Sequence, residues 1–124
     1  MKSIFVDSNN KKVEYVNLVD VLKDSYRYIE CDTVTQGMFL LHNDTLIVDD
    51  EGLLKVGSCG FVIDGCYFHG NGMVWGVDEN GNSKDCETSL EWIIPQIKFI
   101  DKNEAEVIRK VKLSGKDWRE AIFG

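Results

Sequence analysis

Apolar and polar positions alternate in short bursts along most of this chain, and the spacing widens to a helical period in only a few places. Ile4-Phe5-Val6 and Val13-Glu14-Tyr15-Val16 are β-type runs on either side of the polar stretch 7–12, which predicts an opening hairpin. Leu18, Val21, Leu22 and Tyr26 then recur at i, i+3, i+4 and i+8, the apolar face of a short helix with Asn17 as its cap and Asp20 in its first turn. Tyr28-Ile29-Glu30-Cys31-Asp32-Thr33-Val34 alternates again and predicts a half-buried strand that stops at Gln36-Gly37. Residues 38–41 and 46–48 form apolar strands around His42-Asn43-Asp44-Thr45, a turn by composition. Residues 61–63 and 73–77 make two more strands.

Toward the C-terminus, Thr88-Ser89-Leu90-Glu91 fits a capping box, and Leu90, Ile93, Ile94 and Ile97 follow at helical spacing. Pro95 lacks an N–H and should cut that helix short, leaving 97–100 extended. Asn103-Glu104-Ala105-Glu106 opens another helix with Val107, Ile108 and Val111 facing inward, and Trp118, Ala121 and Ile122 a last turn. Antiparallel strands with few helices predict one α+β domain over residues 1–124. It consists of a single twisted, mainly antiparallel sheet, two to three short helices, and a C-terminal helical extension over 103–124.

The stretch FHGNGMVWGVDENGN, residues 68–82, looks most like a site. A dinucleotide fingerprint would place G-x-G-x-x-G between a strand and a helix. Here Gly70, Gly72 and Gly76 are spaced one residue too wide and lead into Met-Val-Trp, a strand. A calcium loop would use Asp78, Asn80, Gly81 and Glu87, but Gly76 would stand at the first ligand position and Lys84 at the ninth. Two Asn-Gly turns, at 71–72 and 80–81, flanking one strand account for the whole stretch. The loop His69, Gly70, Asn71 and Gly72 still offers a titratable ring, an amide and backbone N–H groups, a candidate ligand site for a small nucleotide.

Charge sharpens the picture. The net charge is −7 at neutral pH, with 28% of residues charged and 44% apolar. Residues 1–97 hold 7 basic against 16 acidic side chains, a net of −9, and residues 98–124 hold 7 against 5, a net of +2. An acidic body repels phosphates, which argues against direct nucleic-acid binding and against anionic membranes, and favours a basic protein partner. The acidic turns Asp49, Asp50, Glu51 and Asp78, Glu79, with Trp118 among the basic residues of the tail, are the predicted partner-binding surfaces.

The first residues, MKSIFVDSNN, have no apolar run of signal-peptide type, and no stretch reaches the length of a membrane span, which predicts a cytoplasmic protein. The four cysteines, Cys31, Cys59, Cys66 and Cys86, are then expected as thiols. Cys66 with His69 is the nearest approach to a zinc-ligand pair, but the spacing to Cys59 and Cys86 fits no standard finger, and Cys66 beside Tyr67 and Phe68 reads as a core cysteine. No metal and no cofactor are expected. With two histidines and no G-x-S-x-G or comparable motif, no catalytic residues are assigned either.

Tyr28-Ile29-Glu30, the segment 46–55 (LIVDDEGLLK) and the segment 68–78 (FHGNGMVWGVD) together resemble a family of small uncharacterised proteins carried by phages, plasmids and bacteria, a domain of unknown function. The resemblance covers about residues 18–100 and rests chiefly on D-D-E-G-L-L-K and the later G-x-G-x-x-x-G-x-D. An Asn that often follows E-G-L-L-K in that family is missing from Val56-Gly57-Ser58-Cys59-Gly60. The resemblance implies no catalytic residues. It implies provenance on a mobile element, and hence a small accessory protein that binds and inhibits a host factor, an anti-defence role included.

Overall fold

The computed structural model describes residues 1–119. Its strands and helices run in the order β1 (Lys2–Asp7), β2 (Lys12–Asn17), α1 (Val21–Ile29), β3 (Val34–Phe39), β4 (Asp44–Asp49), β5 (Gly60–Ile63), β6 (Cys66–His69), β7 (Gly72–Val77), β8 (Ser83–Lys84), α2 (Leu90–Ile93), β9 (Ile97–Ile100) and α3 (Lys102–Leu113). Among the described residues all strand pairs are antiparallel, and the fold is α+β.

The single predicted sheet is in fact two. The larger has the order β2-β1-β7-β4-β3, with β8 pairing to the last residues of β7, and the smaller has the order β6-β5-β9. Strand alternation explains the layering. Ile4, Val6, Leu46, Val48 and Val74 point to one face, where they meet Phe61 and Ile63 of the smaller sheet and Ile93 of α2. Phe5, Ile47, Met73 and Trp75 point to the other, where Leu18 and Ile29 cover them. Strands buried on both faces lose the polar-out alternation, which is why β1, β4 and β7 read as continuous apolar runs. A third cluster of Tyr67, Ile100, Ala105, Ile108 and Trp118 packs α3 against the smaller sheet. The C-terminal helix is therefore built into the body.

Several local expectations shift. Asp20, not Asn17, caps α1, accepting from Lys23 N at 3.2 Å, and Asp24 accepts from Val19 N at 2.9 Å. Asn17 ends β2 and accepts from the Met1 ammonium at 2.9 Å. The predicted strand at 28–34 is the last turn of α1 followed by Glu30 at φ 62°, a left-handed cap that no glycine announces. Ser89 caps α2, and Thr88 turns inward instead. Asp101 precedes α3, on which Ile108 is buried but Val107 is 48% exposed. Cys66 is exposed, and all four cysteines are free thiols. Ala121 and Ile122 lie outside the described residues.

Candidate functional site

The glycine-rich stretch folds as turn, strand, turn, with β7 between β1 and β4 at the centre of the larger sheet. The left-handed residue of the first turn is Gly70, at φ 97°, so Asn71 and Gly72 are not the bend. Asn71 is buried, accepting from Ser8 N at 2.8 Å and donating to Tyr28 O at 3.2 Å. Gly70 O accepts from the Ser8 hydroxyl at 2.6 Å and Gly70 N donates to Cys59 O at 2.8 Å. Gly72 passes so close to Leu46 and Phe61 that a Cβ there would lie 3.0 Å from each. The second turn behaves as expected, with Gly81 at φ 83° and Asp78 Oδ1 accepting from Asn80 N and Asn82 N at 2.9 and 2.8 Å.

His69 is not on a solvated loop tip. It ends β6 with 5% of its surface exposed, and both ring nitrogens are engaged. Nε2 lies 3.0 Å from Lys55 O, and because a carbonyl only accepts, Nε2 carries the proton. Nδ1 is then the acceptor for the Tyr67 hydroxyl at 2.6 Å. Burial holds the His69 pKa below its ordinary value and pushes the Tyr67 phenol up, so both groups are neutral near pH 7. Beside this loop is a cavity of about 40 Å³, room for a water rather than a nucleotide. Cys66 and His69 lie on opposite faces of β6, one exposed and one buried, which separates the candidate zinc pair.

Two sites that the sequence kept apart are neighbours here. Val48 pairs with Gly72, so the turn 49–51 leaves the larger sheet at the same end as the 69–72 loop. Gly52 joins them, since a Cβ there would stand 2.8 Å from His69 O. The turn 49–51, Gly52 and His69, together with Leu53, Leu54, Tyr67, Phe68 and Lys112, border a cleft of about 360 Å³. Its acidic rim is tied down from three directions. Lys55 Nζ pairs with Asp49 Oδ2 at 2.6 Å and donates to Glu30 O at 3.0 Å. His69 holds the Lys55 carbonyl, and Arg109, itself paired with Glu106 at 2.7 Å, donates to Leu53 O at 2.9 Å.

The predicted contact residues separate by what they touch. Asp49 is spent on Lys55 and on Glu51 N, and it mounts the turn rather than presenting charge. Asp50 and Glu51 are exposed. Asp78 closes its own turn, leaving Glu79 exposed at the far end of β7, about 17 Å away along a six-residue strand, so the two acidic turns do not form one patch. Trp118 is buried against the Tyr67 ring, with centroids 5.9 Å apart, and is no contact surface.

Sequence reasoning missed Asp44. It is fully buried and accepts from Glu87 N at 3.0 Å and from Thr88 N at 2.7 Å, and the Thr88 hydroxyl also donates to it. That carboxylate gathers the segment before α2 onto the start of β4, and a turn-forming composition around it gave no sign of this. Among the described residues, no helix is long and apolar enough to cross a membrane. The chain matches no protein-family model, no curated protein and no solved structure.

Proposed function

We propose that this chain is a small non-enzymatic binding protein of mobile-element type that occludes a basic surface of a host protein with the rim formed by Asp50 and Glu51. One observation carries the reading. These two exposed carboxylates stand on a turn fixed by Lys55, His69 and Arg109, at the mouth of a cleft also lined by Leu53, Leu54, Tyr67, Phe68 and Lys112. A held rim loses little conformational freedom on binding, and its two exposed carboxylates suit the charged head of an arginine or lysine at the edge of the cleft. The net charge of −7 adds long-range attraction for a basic partner. The mobile-element setting rests on the resemblance over residues 18–100.

Affinity capture from host lysate tests this, comparing the native chain with Asp50→Lys/Glu51→Lys. The native chain is expected to retain a basic protein that is released by added salt, and the double variant to lose it. Retention of the same proteins by both would refute the rim. Capture of a nucleotide at residues 69–72 gains no support from the geometry, because the polar groups of that loop are turned inward.

A further inference from the structure

Lys112 stands where the period of α3 calls for an apolar residue. Ala105, Ile108 and Lys112 recur at i, i+3 and i+7, along one face of the helix. The first two are buried against the smaller sheet, and Lys112 is half-buried in the lining of the cleft beside the acidic turn. Arg109, on the same side of α3, fixes this face to that turn by donating to Leu53 O at 2.9 Å. A cation in the last turn of a helix suits the macrodipole, but Lys110 already meets that need from an exposed position. The dipole does not account for a lysine set into the cleft.

The cleft therefore holds charge of both signs, carried by two different elements. Of the acids that line it, Asp49 is neutralised by Lys55, which leaves Asp50 and Glu51 on the turn and Lys112 on α3. His69 lines it as a neutral ring with both nitrogens engaged. On α3, Glu106 and Arg109 are closed on each other at 2.7 Å. Among the described residues Lys112 makes no salt bridge, and its ammonium makes no hydrogen bond, so the acidic rim and the lysine do not neutralise one another. A half-buried ammonium has given up part of its hydration with no carboxylate in return. What the cleft lacks is an anion.

We propose that the cleft receives the carboxyl terminus of a polypeptide ending in Arg or Lys, with the cationic side chain on Asp50 and Glu51 and the terminal carboxylate on Lys112. The charges select this occupant first. A cation and an anion borne on one residue meet both signs, whereas a plain cation leaves Lys112 facing like charge. Size selects it next. A volume of about 360 Å³ lies at the small end of ligand pockets, so it takes one residue, and a chain terminus enters end-on without having to leave again. A free basic amino acid fits less well, because the α-ammonium beside its carboxylate is repelled by Lys112, while in a polypeptide that nitrogen is a neutral amide. The inference rests on the rim proposed above and adds which part of the partner the rim holds.

Isothermal titration calorimetry of the full chain with two forms of one peptide, Gly-Ala-Ala-Arg as the free acid and as the carboxyl-terminal amide, tests the proposal. The native chain is expected to bind the free acid about tenfold or more tighter than the amide. Lys112→Gln should bring the two peptides level, Lys112→Arg should keep the preference, and Asp50→Lys/Glu51→Lys should lose both peptides. Free arginine should bind more weakly than the free-acid peptide. Circular dichroism melts identify any variant that fails to fold, and the comparison of acid with amide on the native chain needs no variant. A native chain that binds neither peptide at millimolar concentration overturns the proposal, as does equal binding of acid and amide or a preference that survives Lys112→Gln. Free arginine that binds as tightly as the peptide also overturns it and assigns the cleft to a small molecule. Capture of a basic protein that is lost in Asp50→Lys/Glu51→Lys but unchanged in Lys112→Gln leaves the rim standing and removes the carboxylate site. The rim itself fails on a different result, retention of the same proteins by the charge-reversed variant.

Discussion

The Tyr67 hydroxyl donates to Nδ1 of His69 across 2.6 Å, while the other ring nitrogen of His69 donates to Lys55 O. The strand-end ring thus holds β6, the acidic turn and, through Tyr67, the α3 cluster in one register. This arrangement requires a neutral imidazole, and burial depresses the His69 pKa accordingly. The unfolded chain takes up a proton on this residue near pH 6.5, before the folded one does. The contribution of His69 is therefore complete above about pH 6.5, declines as the pH falls below that value, and is exhausted once the pH has passed through the folded pKa. Urea titrations at a series of pH values should show this decline in the native chain and a weaker one in His69→Leu. Equal slopes in both would remove His69 as the cause.

Removing the donor alone gives a second test. Tyr67→Phe keeps the buried ring that Trp118 packs against but leaves Nδ1 of His69 without its partner, at a cost of about 1–3 kcal/mol. The imidazole then has a basic nitrogen facing an apolar wall, and the turn 52–54 should exchange its amide hydrogens faster. A midpoint in urea unchanged from the native value would mean that the hydroxyl contributes nothing.

Asp44 is the buried carboxylate on which the segment before α2 depends. Asp44→Ala strands two backbone N–H groups and the Thr88 hydroxyl, and should cost about 3 kcal/mol or more. Asp44→Asn keeps one acceptor and should cost less. Thr88→Val removes one donor, so combining it with Asp44→Ala should be less harmful than the sum of the two. An additive double variant, measured by chemical denaturation, would show that the two side chains do not act through one another.

How much of this was legible in advance depends on the range of the deciding contact. Ile4-Phe5-Val6 and Met73-Val74-Trp75 announce strands because an apolar run bounded by turn residues needs no distant partner to be recognised. Their division between two packed sheets was not legible, since Phe61 could as well have extended one sheet as covered another. Tyr28 and Ile29 look like strand residues, yet Asp20 caps Lys23 N and Asp24 reaches back to Val19 N at the start of a helix that continues to Ile29. The candidate site divided in the same way. Asp50 and Glu51 are exposed as their composition implied, whereas His69, Asn71 and Trp118 were drawn into the interior by partners 14 to 63 residues away and by Tyr67. Gly52 carried the only available hint that the acidic turn touches another backbone, and a glycine after three acids reads equally well as an ordinary turn.

Gly52 therefore offers the most selective test of how the rim is mounted. A methyl group at this position would meet His69 O at 2.8 Å, a backbone atom held by the β5–β6 pairing and unable to swing aside. Gly52→Ala should push the turn 49–51 away from β6, weaken the Arg109 bond to Leu53 O, and destabilise the fold by about 1–3 kcal/mol through overpacking. Asp50→Lys/Glu51→Lys, by contrast, changes exposed charge alone and should stay within about 0.5 kcal/mol of the native stability. If the rim is the contact surface, both changes weaken capture of the basic partner, one by displacing the carboxylates and the other by reversing them. Gly52→Ala that shifts the melting temperature yet leaves capture intact would show that the position of the turn does not matter to binding.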